Sequence, residues 1–394
     1  MKRVYIAAYH QSKFGKLGAM SVPEIIRRAV YGVCGEIGVE PAALDTGSVG
    51  AACNFALNEQ GLLAGLMAGV PGLESKPIEA VENACASGGQ AVLSVIAKLQ
   101  LGLGETGVAV GFEKMRDDAG KADGKLIGKV LGYYSHPDER QGKVFVFPHI
   151  FAEIMLAYMQ AWGVSEADLA RIAVQEYACA RHNPWAQMNH VQITLEQALA
   201  IEGPNRYVVD GLPLKTYDCS QISDGYAALI LATDDGLRKL GRPVSECVEI
   251  AGWAQATDPL SRAGRDLLRP AGAYRAMGEA YRMAAVKPSE VDVAEVHDCF
   301  TVMGAIGAEV IGKAKPGGGA RFWADGAPGL NTSGGLIAKG HPIGATGVAM
   351  IGWCALQLWG RAPAQLQVRS PRAAATFNIG GPLCASVCTV LRPA

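Results

Sequence analysis

The sequence predicts an α/β protein built from two similar strand–helix halves, with a polar segment inserted into the first. Three observations carry this prediction. Short apolar runs alternate with helical patterns in both the first and the last third of the chain, a pattern that indicates a mostly parallel sheet. Residues from about Arg116 to Tyr217 break the alternation with prolines, histidines and clustered aromatics. Finally, one half echoes the other. Cys85 to Gly102 runs from a Cys-centred turn into a helix ending Lys98-Leu99-Gln100-Leu101-Gly102. His341 to Gly360 runs from a His-centred turn into a helix ending Leu356-Gln357-Leu358-Trp359-Gly360.

Taken in order, Val4 to Ala8 reads as the first strand. Val22 to Ile37 reads as a helix, with Ser21 as N-cap and Glu24 completing a capping box. Val49 to Cys53 is a strand, Cys85 to Leu101 a helix, and Gly107 to Gly111 a short buried strand. Within the insert, Ile150 to Trp162 and Glu166 to His182 are helical. Tyr226 to Thr233 is an apolar strand with which the first sheet resumes. The second half begins after Arg242. Cys247 to Trp253 is a strand, Gly272 to Ala284 a helix, Val291 to Val296 a strand leading into His297, and Thr301 to Gly312 a helix. Ala373 to Phe377 and Ala385 to Leu391 are the last two strands. The echoing helices have almost no charged face, so they must be covered all round. Placed between two sheets, they would bring Cys85 near His341.

Composition narrows the function classes. The 394 residues exceed one simple core. A net charge of −1 leaves no electrostatic footprint for nucleic acid or an anionic membrane. No stretch reaches the roughly 18 apolar residues of a membrane span, and the N-terminal apolar run is too short for a signal peptide. The ten cysteines are scattered with no CxxC pair, which argues against a zinc site and a disulfide framework and fits a cytoplasmic protein.

Four clusters can carry chemistry. In Glu82-Asn83-Ala84-Cys85-Ala86-Ser87-Gly88-Gly89 a small-residue turn puts a cysteine at the tip of a helix, where free N–H groups and the helix dipole favour thiolate. In Gly340-His341-Pro342-Ile343-Gly344-Ala345-Thr346-Gly347, preceded by Asn331-Thr332-Ser333-Gly334-Gly335, a neutral His341 is a candidate base for that thiol. In Glu295-Val296-His297-Asp298-Cys299-Phe300, two reactive side chains sit at a strand end, where sites in parallel sheets form. In Asn378-Ile379-Gly380-Gly381, glycines let backbone N–H groups approach a substrate oxygen. Each cluster has a plainer reading on its own: a packed cysteine, a surface histidine, a strand terminus, a turn.

Together and in this order, the clusters resemble the thiolase superfamily, with Asp218-Cys219-Ser220-Gln221-Ile222-Ser223-Asp224-Gly225 and Gly111-Phe112-Glu113-Lys114-Met115 as further points of likeness. His297-Asp298-Cys299-Phe300 in place of Asn-Glu-Ala-Phe, and Asn378-Ile379-Gly380 in place of Cys-x-Gly, are most similar to the sterol-carrier-protein-2 type and related acyl-CoA acetyltransferases. The resemblance implies a five-layer αβαβα sandwich. It implies an N-terminal half of residues 1–117 plus 218–241, a loop domain of 118–217 covering coenzyme A, and a C-terminal half of 242–394. It implies an acyl-Cys85 intermediate, His341 as base, Cys299 as acid/base and His297 at the thioester oxygen. Asn378 has a supporting role, and backbone amides of Cys85 and Gly380 form an oxyanion hole. Tyr133, Tyr134, Phe145, Phe147 and His149 are candidate pocket residues; they could equally pack the insert's own core. Coenzyme A is expected as substrate, with no covalently bound cofactor and no metal. A homodimer, paired through an edge strand of the first half, is implied. So is one alternative, a complex with a small OB-fold/zinc-ribbon partner acting as thiolase or aldolase on an aromatic succinyl-type or steroid side-chain acyl-CoA. A non-catalytic acyl-CoA- or lipid-binding protein is the remaining alternative.

Overall fold

The structure, a computed structural model, describes residues 2–394. Its strands are β1 (Tyr5–Gln11), β2 (Thr46–Gly50), β3 (Ile78–Val81), β4 (Thr106–Glu113), β5 (Gly225–Ala232), β6 (Val248–Thr257), β7 (Val293–Val296), β8 (Ala374–Gly380) and β9 (Ala385–Pro393). They hydrogen-bond in the order β3-β2-β4-β5-β1-β6-β9-β8-β7. The two halves meet at β1 and β6 through only two residue pairs, Tyr5 with Glu249 and Ile6 with Val248.

The expected, mostly parallel sheet is corrected. Only β2–β3, β2–β4 and β7–β8 are parallel. The pairs β1–β5, β1–β6, β4–β5, β6–β9 and β8–β9 are antiparallel. The helical crossovers that enforce parallel pairing serve only part of each half. β8 and β9 are joined by a tight return, which can only make an antiparallel pair.

Strand residues alternate between two apolar layers. In β5, Ala227, Leu229 and Leu231 face the central layer, while Ala228, Ile230 and Ala232 face the outer one. A strand covered on both faces reads as a continuous apolar run, which is why Tyr226 to Thr233 was legible. The Val22–Gly35 helix covers the outer face of the first half through Ile25, Ile26, Ala29, Val30 and Val33. The Ala271–Ala284 helix covers the outer face of the second through Ala273, Ala276, Met277 and Ala280. Between the sheets lie the Ser87–Gln100 and Ile343–Leu358 helices, so the layers run αβαβα. The two central helices touch without intervening side chains. A Cβ on Gly88 would lie 2.3 Å from the Gly344 carbonyl, and one on Gly347 would lie 2.2 Å from the Gly89 nitrogen.

Two local expectations differ. Ser21 makes no capping hydrogen bond; Glu24 turns instead to Arg27 and Arg28 one turn on. The strand expected at Val49 to Cys53 begins earlier and stops at Gly50, with Cys53 heading the short Asn54–Asn58 helix. No helix among the described residues is long and apolar enough to cross a membrane.

Candidate active site

The turn that carries Cys85 is held from several directions. Ala84 adopts φ +47°, an uncommon conformation for a residue with a Cβ. Around it, the Ala86 and Ser87 N–H groups donate to the Asn83 and Ala84 carbonyls at 2.9 and 3.0 Å. The Ser87 hydroxyl donates to the Ala84 carbonyl at 2.6 Å and accepts from the Asn83 N–H at 2.8 Å. Cys85 stands at the end of this turn, two residues before the helix begins.

His341 and His297 arrive from the other half. The His341 ring follows a π-turn at Gly335–Lys339 and Gly340, whose φ is +112°. His297 follows β7 directly, and its N–H donates to the Phe377 carbonyl at 2.9 Å. The two rings lie edge to face, with centroids 5.0 Å apart. The Cys85 sulfur and one nitrogen of each ring all lie within 4.8 Å of one another.

Hydrogen bonds at Nδ1 give the two imidazoles opposite roles. The Thr346 hydroxyl lies 2.7 Å from His341 Nδ1 and donates its single proton to the Pro342 carbonyl at 3.0 Å. It can therefore only accept from His341, so Nδ1 carries the proton and Nε2 is left as a free base. At His297, the Asn378 amide nitrogen donates to Nδ1 at 3.0 Å and to the Cys85 carbonyl at 3.1 Å. Nδ1 is then an acceptor, and Nε2 bears a proton. His297 Nε2 is buried without a partner, a donor with nothing yet to donate to.

Burial, and then the Lys339 charge, hold the His341 pKa down at about 3. Burial, then His341, push His297 well below the ordinary imidazole value. Both rings are neutral at pH 7. Cys85 departs from the thiolate expectation. Burial, then Glu113 and Glu82, push its thiol up to about 12, against the opposing pull of the Cys85 and Gly381 N–H groups. The resting site is a neutral thiol beside a neutral base. Cys299 is buried on the pocket wall, its thiol also pushed up by burial and by Cys85. Because His297 points a protonated nitrogen inward, the triangle does not present three lone pairs to a metal ion.

Other expected residues are placed as follows. Asn378 orients His297. The Gly381 N–H opposes the rise of the Cys85 thiol, and the neighbouring Gly380 packs against the Asn83 carbonyl, where a Cβ would come within 2.2 Å. Tyr134, Phe145 and Phe147 line a cavity of about 440 Å³ that opens onto Cys85, but Tyr133 and His149 do not. Tyr133 is exposed with Arg140 over its ring, and His149 turns to Glu153.

Three supporting residues had no assigned role in the sequence reading. Glu113 accepts N–H groups of Ala52, Cys53 and Gly344 at 3.0 Å each, tying the start of the His341 helix to β4. Ser223 accepts the His341 N–H at 2.9 Å. Thr346 sets the His341 tautomer. All three sit inside quoted motifs, but motif spacing alone does not reveal which carbonyl or N–H a side chain meets.

The thiolase N-terminal domain family matches residues 4–235, and the thiolase C-terminal domain-like family matches residues 254–393. The chain is 33% identical over 388 residues to an acetyl-CoA acetyltransferase of Methanothermobacter thermautotrophicus, covering 97% of each chain. It is 29% identical over 403 residues to human sterol carrier protein 2, covering 96% of this chain and 70% of that one. Among solved structures it is similar to an Ltp2–ChsH2(DUF35) aldolase, with a TM-score of 0.80 at 21% identity, covering 99% of this chain and 98% of the other.

Proposed function

Because the chain belongs to the thiolase family, we propose that it is a CoA-dependent acyltransferase that cleaves a 3-oxoacyl-CoA, or runs the reverse condensation, through an acyl-Cys85 intermediate. The observation that carries this reading is the meeting of the Cys85 sulfur with an unprotonated and a protonated imidazole nitrogen inside one triangle.

His341 Nε2 takes the Cys85 proton as the sulfur attacks the 3-keto carbon. A neutral thiol beside a neutral base needs this transfer to coincide with attack, since neither group ionises alone. The oxygen on the attacked carbon turns to the Cys85 and Gly380 amides. The carbon–carbon bond then breaks, and the electron pair passes into the thioester of the departing fragment. His297 Nε2–H donates to that enolate oxygen, and Cys299 gives its proton to the carbon. The proton that His341 took passes to the Cys299 thiolate, which returns both groups to their starting states. A second CoA thiol then gives its proton to His341 as it attacks the acyl-cysteine, and that proton goes to the departing Cys85 sulfur. Asn378 acts through His297, so it is a positioning residue.

Coenzyme A enters as substrate over residues 118–217, read here as its cover. β3 ends the strand order with its outer edge unpaired, which supports dimer formation through that edge. The ten cysteines are free thiols, which supports a reducing, cytoplasmic setting. A partnered aldolase of the same fold would not need the nucleophile, and the built Cys85 turn favours thiolysis.

The test is to mix the protein with acyl-CoA in the absence of free CoA and locate the adduct by peptide mass spectrometry. An acyl group on Cys85, lost in Cys85→Ser, is the expected result. No adduct with any acyl-CoA from a folded protein would overturn the reading.

A further inference from the structure

The cavity beside Cys85 carries information about the acyl group itself. At about 440 Å³, it falls within the roughly 300–1,000 Å³ of sites that enclose whole small ligands, and it admits the thiol end of CoA as well as the acyl group. Its wall nearest the nucleophile is apolar: Cys85 packs against Met115, Ile127, Leu131, Tyr134 and Ile343. A second wall is aromatic, where Phe151 stacks on Phe300 with ring centroids 4.6 Å apart.

Apart from the two histidines, the polar side chains of the lining, Arg206, Tyr207, Thr216, Ser220 and Gln221, come mainly from one segment, whereas polar atoms beside the apolar walls are engaged with backbone. The Tyr134 hydroxyl gives its proton to the Ala52 carbonyl at 2.6 Å, and the Cys219 thiol faces the Lys215 carbonyl at 3.4 Å. Among the described lining residues there is no Lys, Asp or Glu, and the one permanent charge, Arg206, is an exposed residue.

From this lining, and resting on the thiolase reading above, we infer that the acyl group transferred to Cys85 is bulky, apolar and uncharged, and that neither acetyl nor a dicarboxylic acyl group is its proper occupant. Acetyl would leave most of the apolar wall without contacts, and each buried methylene changes an equilibrium by roughly fourfold. A terminal carboxylate pressed against the Met115, Ile127, Leu131 and Ile343 wall would lose its water with no charged or donor side chain among those four to replace it. Loading forms a bond from the Cys85 sulfur to the acyl carbon and breaks the bond from that carbon to the CoA sulfur. The Cys85 proton passes through His341 to the departing CoA thiolate.

The experiment is a competition on the wild-type protein. Acetyl-, hexanoyl-, phenylacetyl- and succinyl-CoA are supplied together at equal concentration, without free CoA, and the Cys85 peptide is weighed. Hexanoyl and phenylacetyl adducts should each exceed acetyl and succinyl by about tenfold or more. Acetyl or succinyl adducts at equal or greater yield would overturn the inference and leave Cys85 as the nucleophile. No adduct from any thioester would remove the thiolase reading and this inference with it. Ile127→Trp, checked for an unchanged melting temperature, should shift the hexanoyl-to-acetyl ratio about tenfold towards acetyl. An unchanged ratio would show that the Ile127 wall does not select the acyl group.

Discussion

Two side chains of the same type face one sulfur, and what separates their tasks is a single hydrogen bond at the far side of each ring. That makes Asn378 a sensitive position. In Asn378→Asp, a carboxylate can only accept, so the His297 proton would move to Nδ1 and leave Nε2 bare, removing the inward donor. Turnover should fall roughly 100-fold or more, the usual consequence of a lost oxyanion donor. Asn378→Ala, which frees the ring without inverting it, should cost less; steady-state kinetics of the two variants compare them directly. The titrations give a second test. His341 must be neutral to act as a base, and it is held at about 3. The acid limb that an ordinary histidine gives near about pH 6.5 should therefore be missing from the acylation profile. Cys85 lies at about 12, so its alkylation by iodoacetamide should still be rising at about pH 10 rather than levelling off near the usual thiol value of about 8.5. A plateau near pH 8.5 would contradict the burial argument.

At the scale of elements, the central pair of helices decides where Cys85 and His341 stand. Gly88→Ala would drive a methyl group into the Gly344 carbonyl, and overpacking of this kind costs about 1–3 kcal/mol. The two helices would have to part, so acylation should fall along with melting temperature. Gly278 is the contrast: it lies exposed in the Ala271–Ala284 helix, and a Cβ there meets nothing within 4 Å. Gly278→Ala should raise stability by about 0.5–1 kcal/mol. These elements were largely legible because doubly covered strands and helices are apolar almost throughout, as in Tyr226 to Thr233 and Ile343 to Leu358. β3 was missed because a four-residue edge strand, Ile78–Val81, carries no run long enough to register. Parallel and antiparallel pairing was misjudged because a periodic pattern says which faces are buried and not which neighbour a strand meets. The site was legible as a set of motifs. The tautomers, the Gly381 amide and the neutral thiol depend on three-dimensional neighbours, and those were not.

At the scale of the whole molecule, the inserted segment is anchored by buried charge. Lys215 Nζ lies 2.9 Å from Glu166 and 3.1 Å from Asp218, fully buried, and Asp218 accepts the Thr301 hydroxyl at 2.9 Å. This joins the insert to the helix that follows Cys299. Lys215→Ala would strand Asp218 as an unpaired buried charge, a loss of about 3–5 kcal/mol. The Lys215→Ala/Asp218→Ala double variant should lose less than the two single variants summed, which denaturant titration would reveal. The glycine contact between the central helices has a further consequence. Main chain against main chain is a ruler with no rotamers, so it cannot stretch by side-chain rearrangement as the surroundings loosen. On warming, the enzyme should therefore lose its grip on the acyl chain, which depends on movable side chains, before it loses the spacing of Cys85 and His341. Near its upper working temperature it should grow less selective before it grows slow.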